Sequence, residues 1–241
     1  MSRVTTAMVL AAGLGTRMRP LTLTRPKPLI EVGGKTLLDH MLDRLADAGV
    51  ETAVVNAHYL ADQIEAHVAR RSRPRILVSD ERDLVLETGG AIVKAKAHLG
   101  DAPFFVANTD QIWTERGGSA LAALAAAFDP RTMDVMMLLA SRDECLGFPG
   151  AGDFFRDADG ALTPRGDAPS APWVYAGAYV MHPRLLEGLG AEPFSAWKFW
   201  TPAIHAGRFH GMVLDGFWMH VGDPAARDEA EARLAGLARV S

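Results

Sequence analysis

The sequence predicts an α/β protein, a Rossmann-like three-layer sandwich with a mostly parallel central sheet and a small β elaboration in its second half. Three observations predict it. Apolar runs of strand length alternate with segments of helical period through the first hundred residues. Those runs are continuously apolar, as strands covered on both faces require. Turn signals then cluster in residues 146–172.

Val4–Ala11 is a compact apolar run that ends in a Gly-rich loop, the pattern of a buried first strand. Thr36–Ala48 places Leu37, Leu38, Met41, Leu42 and Leu45 at helical spacing and stops at Gly49. Thr52–Asn56 is predicted as a strand, Leu60–Arg71 as a helix and Arg75–Ser79 as a strand. Thr88–Leu99 follows as a helix, with Thr88 as its N-cap and Gly100 after it, and Pro103–Ala107 as the next strand. Beyond Asp110 the rhythm loosens. Leu121–Phe128 is an Ala-rich helix, Met133–Leu139 a strand, and 146–172 a set of hairpin turns and a loop. Val174–Met181 returns as a strand, Ser195–Ala206 as a helix, Arg208–Leu214 as a strand, and a last helix runs from Pro224 to about Leu237. No repeat or long linker interrupts the chain, which reads as one domain over 1–241 with a first half, 1–110, and a second, 111–241.

Composition narrows the function classes. The chain of 241 residues is 49% hydrophobic and 22% charged, ordinary for a globular protein with a full core. A net charge of −4 offers no basic field, so neither nucleic acid nor a membrane is expected as a partner. Cys145 is the only cysteine, which excludes an internal disulfide and a Cys-rich metal site. No apolar run approaches the ~18 residues a membrane helix needs, and the chain is expected in the cytoplasm. Whether it is a monomer or a small homo-oligomer stays open.

The most informative stretch is Leu10-Ala11-Ala12-Gly13-Leu14-Gly15-Thr16-Arg17-Met18-Arg19-Pro20-Leu21-Thr22. Small residues after a strand let backbone N–H groups approach a polyphosphate, and Arg17, Arg19 and Lys27 add cations. The Walker pattern is absent. The dinucleotide fingerprint needs glycine where Met18 stands, and Pro20, Pro26 and Pro28 keep the segment out of a regular helix, which disfavours a dinucleotide oxidoreductase. Asp110, in Asn108-Thr109-Asp110, follows an apolar strand where open α/β sheets bind ligands, and a carboxylate there suits magnesium.

The loop, together with Pro26-Lys27-Pro28-Leu29, resembles the signature of sugar-1-phosphate nucleotidyltransferases. That resemblance implies a loop, Leu10 to Thr16, around a nucleoside triphosphate, with Arg17 and Lys27 on its phosphates and Asp110 on Mg2+. Glu87-Thr88-Gly89-Gly90 resembles a segment of N-acetylmuramate 1-phosphate uridylyltransferases and of some mannose 1-phosphate guanylyltransferases. It is expected, with Asn108, beside the base, the two glycines clearing space for a flat ligand. Uracil and guanine are not separated by it. Gly152-Asp153-Phe154 resembles the muramyl-sugar branch, so Gly152 and Asp153, with Lys198, are the expected contacts to the sugar phosphate, the second substrate.

One departure stands out. Where the family carries its second metal aspartate, Trp218-Met219-His220-Val221-Gly222-Asp223 places His220. Imidazole suits softer metals than magnesium. Asp223 is a substitute ligand, yet Asp223-Pro224 also fits an N-cap with proline at the first helical position. Three outcomes remain open: a metal held by Asp110, phosphates and water; a preference for Mn2+; or a non-catalytic nucleotide-sensing module.

Overall fold

The computed structural model describes residues 3–238. In the first half the strands are β1 (Thr6–Leu10), β2 (Glu31–Val32), β3 (Lys35–Thr36), β4 (Thr52–Ala57), β5 (Arg75–Asp80) and β6 (Phe104–Asn108). Three helices lie among them: α1 (Leu37–Asp47), α2 (Ala61–Val68) and α3 (Glu87–Leu99). The second half adds β7 (Gln111–Glu115), α4 (Ala120–Ala127), β8 (Val135–Ser141), β9 (Cys145–Leu146), β10 (Phe154–Arg156), β11 (Leu162–Pro164) and β12 (Trp173–Met181). It closes with α5 (Trp197–His205), β13 (Phe209–Val213), β14 (Gly216–His220) and α6 (Pro224–Ala238).

The main sheet draws on both halves of the chain. Strands β5, β4, β1 and β6 run parallel in that spatial order. Strand β12 joins β6 antiparallel, β8 pairs antiparallel with β12, and β13 parallel with β8. The β10–β11 hairpin hangs on the start of β12, where Phe154 pairs with Trp173. Period two along each strand divides the core between the faces. Met8, Val54, Phe104 and Val106 pack under α3 and α5 with Ile92, Phe199 and Trp200. Val9, Val55, Phe105 and Ala107 pack under α1, α2 and α4 with Met41, Leu45, Ile64 and Leu121. Burying each large side chain of this kind contributes about 1.5–3 kcal/mol. The result is the expected three layers.

Strands β7 and β14 were not foreseen, nor were the short β2, β3 and β9. Strands β7 and β14 pair antiparallel, with β9 parallel on the outer side of β14, in a separate small sheet. A third core of Met18, Ile30, Leu37, Ile112, Met219 and Val221 seals it against the opening loop. The periodicity of 111–115 and 216–220 is too short to announce strands, and only their mutual pairing makes them so. Helix caps also correct the expectation. Helix α1 has a side-chain cap, Thr36 Oγ1 accepting from Asp39 N at 3.0 Å. Thr88 does not cap α3, which begins one residue earlier, with Glu87 in the left-handed region (φ 56) and no side-chain cap at its start. Thr88 Oγ1 instead accepts from Ala196 N at 2.8 Å, tying α3 to the approach of α5.

Candidate functional site

The carboxyl ends of β1, β4 and β6 open into a cavity of about 400 Å³. Leu10, Ala11, Ala12 and Gly13 line one wall, and Lys27, Asn108 and Asp110 another. The chain between them cannot form a regular helix through its prolines and folds as three 3₁₀ turns, Thr16–Met18, Leu21–Leu23 and Lys27–Leu29. Gly15 makes that fold close: it lies in the left-handed region (φ 61), and a Cβ there would sit 2.9 Å from Lys27 Cβ. Gly13 has another reason to be glycine. A Cβ there would meet no atom of the described residues within 4 Å, its two chain neighbours aside, so the fold leaves the space beside this residue free.

Lys27 Nζ donates to Asp110 Oδ2 at 2.6 Å in a largely buried ion pair. His220 completes the group. Register in the small sheet sets Gln111 opposite His220, and Val221 N donates to the Asp110 carbonyl at 2.8 Å, so the imidazole is brought beside the carboxylate by backbone pairing alone. His220 Nδ1 lies 3.2 Å from the Gly147 carbonyl, leaving Nε2 toward Asp110 Oδ2 at 3.5 Å. Burial would push the Asp110 carboxyl up, but the His220 ring and the Lys27 ammonium outweigh it and hold the acid well below the usual carboxylate range. Asp110 is therefore an ionised carboxylate facing the cavity across neutral pH.

Asn56 and Glu81 are among the lining residues the sequence did not single out. Asn56, at the end of β4, accepts from Ala11 N through Oδ1 at 2.7 Å and donates through Nδ2 to Glu81 Oε1 at 2.9 Å. Glu81 is buried, and its Oε2 accepts from Leu86 N at 3.3 Å. This chain of bonds fixes the loop after β1 to the wall that carries Glu87 and Thr88, with Ser195 beside them. An asparagine inside an apolar strand was the available signal, since a buried amide must find partners.

Other expected residues are placed differently. Leu14, Gly15 and Thr16 do not line the cavity. Arg17, on the first 3₁₀ turn, is exposed and makes no hydrogen bond or ion pair among the described residues. Gly89 is covered by protein rather than left open for a flat ligand: its N donates to Phe194 O at 2.8 Å, and a Cβ would fall 2.3 Å from Phe194 Cε2. Lys198 turns away as well, paired with Glu192 at 3.0 Å and resting on the Phe194 ring. Asp223 acts as the cap of α6, its Oδ1 accepting from Ala226 N at 2.9 Å.

Gly152 and Asp153 line a second cavity of about 450 Å³ at the mouth of the β10–β11 hairpin, with Tyr175, Trp197 and Trp200. Asp153 Oδ2 accepts from Tyr175 N at 2.9 Å. Burial raises its carboxyl, only partly offset by that N–H and by the charge of Arg165. Burial raises the Tyr175 hydroxyl far above its usual range, and Tyr179 and Asp110 raise it further.

A divalent ion fits the first cavity in a limited way. Among the described residues no three His, Cys, Asp or Glu side chains cluster as a metal cage. Asp110 offers one carboxylate and His220 one ring nitrogen, and the rest of a coordination shell would come from ligand oxygens, as magnesium usually arranges.

Residues 6–147 match the family model described as nucleotidyl transferase. Over 233 residues the chain is 54% identical to the N-acetylmuramate alpha-1-phosphate uridylyltransferase of Caulobacter vibrioides, covering 95% of this chain and 96% of that protein. It is 30% identical to the mannose-1-phosphate guanylyltransferase catalytic subunit beta of Drosophila pseudoobscura pseudoobscura, covering 91% of this chain and 60% of that one. Among solved structures, HddC from Yersinia pseudotuberculosis complexed with GMP-PN superposes with a TM-score of 0.75 at 22% identity, over 96% of this chain and 100% of that one. The inositol-1-phosphate CTP transferase from T. maritima superposes with a TM-score of 0.75 at 17% identity, over 96% of each chain. At those identities the structures speak for the fold. No helix of the described residues is long and apolar enough to cross a membrane.

Proposed function

The chain belongs to the nucleotidyl transferase family, and from that premise we propose that it transfers UMP from UTP to N-acetylmuramate 1-phosphate and releases pyrophosphate. The observation that carries this choice of substrates is the 54% identity, nearly end to end, to the Caulobacter uridylyltransferase. Two cavities suit it, one for a triphosphate and one for a sugar. A reaction fed by nucleoside triphosphate belongs in the cytoplasm, and its product suits recycling of cell-wall sugar.

An oxygen of the sugar phosphate attacks the α-phosphorus in line. Because that oxygen is already anionic, no general base is required, and none of the lining residues is assigned to one. The task is to align two anions that repel each other and to neutralise charge as it shifts to pyrophosphate. Backbone N–H groups of Ala11 to Gly13 would hold the phosphates, and Lys27 would leave Asp110 for the incoming phosphate oxygens. Arg17, which pairs with none of the described residues, would close over them. Mg2+, held by Asp110 and substrate oxygens, would supply the remaining neutralisation across the α-phosphorus, and His220 beside it makes Mn2+ the natural competitor.

A panel of UTP, GTP, CTP and dTTP against N-acetylmuramate 1-phosphate, N-acetylglucosamine 1-phosphate and mannose 1-phosphate tests this, read by pyrophosphate release with Mg2+ and with Mn2+. UTP with the muramyl substrate should be the fastest pairing. GTP with mannose 1-phosphate as the fastest would replace the proposal by a guanylyltransferase, and no release with any pairing would leave a nucleotide-sensing module.

A further inference from the structure

The second cavity holds a charged residue that no step above uses. Arg165 follows β11 and lines that cavity together with Asp153. Phe154 pairs with Pro164 across the hairpin, and Arg165 N donates to Asp153 O at 2.7 Å, so Asp153 and Arg165 are neighbours at its open end. An arginine and an aspartate so placed would ordinarily form an ion pair. They do not. Asp153 is held by Tyr175 N, and the Arg165 guanidinium is held by two backbone carbonyls, Nε to Gly152 O at 3.0 Å and Nη1 to Ala168 O at 2.8 Å.

Each group is thus fixed by the backbone, with no salt bridge between the two. A guanidinium has five N–H donors in a planar fork, of which two are engaged here. A half-buried guanidinium fixed in advance, making no salt bridge and with further N–H groups unengaged among the described residues, favours an anionic ligand, and the planar fork matches a carboxylate. The acid beside it favours a ligand that also carries hydroxyl or amide N–H donors. Trp197 supplies a partly exposed aromatic plate at the same cavity, the surface on which a sugar ring packs. A neutral sugar would offer the remaining N–H groups of Arg165 no charged acceptor.

We infer that Arg165 is a specificity-determining residue that selects an acidic sugar, receiving a carboxylate substituent of the sugar 1-phosphate while Asp153 accepts from its hydroxyl or amide groups. The inference rests on the proposed uridylyltransfer and deepens it: the lactyl ether of N-acetylmuramate is such a carboxylate, and N-acetylglucosamine lacks it. The 1-phosphate itself is assigned to the other cavity, where Lys27 and Asp110 stand.

The test compares the full-length protein with Arg165→Gln on N-acetylmuramate 1-phosphate and N-acetylglucosamine 1-phosphate, with UTP. Turnover is read by pyrophosphate release, and binding of each sugar phosphate by isothermal titration, so that a slow substrate still reports. Arg165→Gln should lower kcat/KM and affinity for the muramyl substrate by about 30-fold, the value of one charge-assisted contact, and for the glucosamine substrate by less than about threefold. Equal losses on both would mean that Arg165 serves the phosphate or merely braces the hairpin, and would overturn the inference. So would a wild-type enzyme that binds and turns over both sugars equally well. Release with neither sugar by the wild type would instead bring down the uridylyltransfer on which the inference stands.

Discussion

Gly13 and Gly15 sit two positions apart in the opening loop and answer to different demands. Gly15 serves the fold, since its left-handed backbone and missing side chain let the Lys27 turn approach. Gly13 meets no such constraint, and it lines the cavity. Gly13→Ala should therefore leave the thermal midpoint within about 2 °C of the parent, or raise it slightly by restricting the unfolded chain. The same variant should weaken nucleotide binding about tenfold, read by titration with UTP, because the methyl occupies the ligand's place. Unchanged affinity would remove the triphosphate from this wall. The charged residues act more steeply. Arg17→Ala and Asp110→Ala are each expected to lower turnover by about 100-fold or more with the fold retained by circular dichroism, the size of effect seen when one stabilising group is lost from a charge-shifting reaction. Near-parental rates in either would reassign that residue.

Elements position these groups, and two contacts between them decide whether they stay in place. Helix α3 is held to the approach of α5 where Gly89 meets Phe194. Gly89→Ala forces a methyl into that ring and its carbonyl, and urea unfolding should show a loss of about 1–3 kcal/mol, as for other overpacked sites. On the opposite face, Asp39 joins α1 to α2 by accepting from His67 Nε2 at 2.8 Å and from Arg71 Nη1 at 2.5 Å, besides its bond with Thr36. Burial works against its charge, but Thr36, His67 and Arg71 together lower its carboxyl below the ordinary value. A native carboxyl more acidic than the unfolded one adds stability that is complete above about pH 4 and fades as pH falls further. Asp39→Asn should accordingly cost about 1–2 kcal/mol at pH 7 and progressively less toward pH 3. A constant difference over that range would show that the charge contributes nothing.

At the scale of the whole molecule, the nucleotide bridges parts of the fold that meet only around the cavity: the loop after β1, the start of α3, Asp110 and the segment before α5. A ligand that binds only the folded state stabilises it by about 2.7 kcal/mol at a hundredfold excess over its dissociation constant. For a chain of this size that corresponds to a rise of about 5–10 °C in thermal midpoint with UTP and Mg2+ present. Chelating the metal should cancel part of the rise, and Asp110→Ala should abolish the metal-dependent part. An equal shift with and without metal would detach Asp110 from cation binding.

Whatever depends on local pattern could be read from the chain alone. Alternating apolar runs and helical periods announced the parallel sheet, because strand and helix periods are properties of short windows. Leu10 to Gly13, Lys27 and Asp110 could be picked out because small residues after a strand, a cation between prolines and a carboxylate at a strand end are all visible in short windows. What lay beyond reach depends on residues distant in sequence meeting in space. His220 faces Asp110 only through the pairing of β7 with β14, and Asn56 reaches Glu81 only because β4 and β5 end side by side. Lys198 and Gly89 were misplaced for the same reason, since Glu192 and Phe194 claim them from a neighbouring loop. Arg165 drew no notice in a stretch read as turns, and it became a candidate when the hairpin set it beside Asp153 without letting the two charges pair. Packing, not pattern, decided these positions, because the free energy of a long-range contact belongs to both partners and neither one's neighbours along the chain encode it.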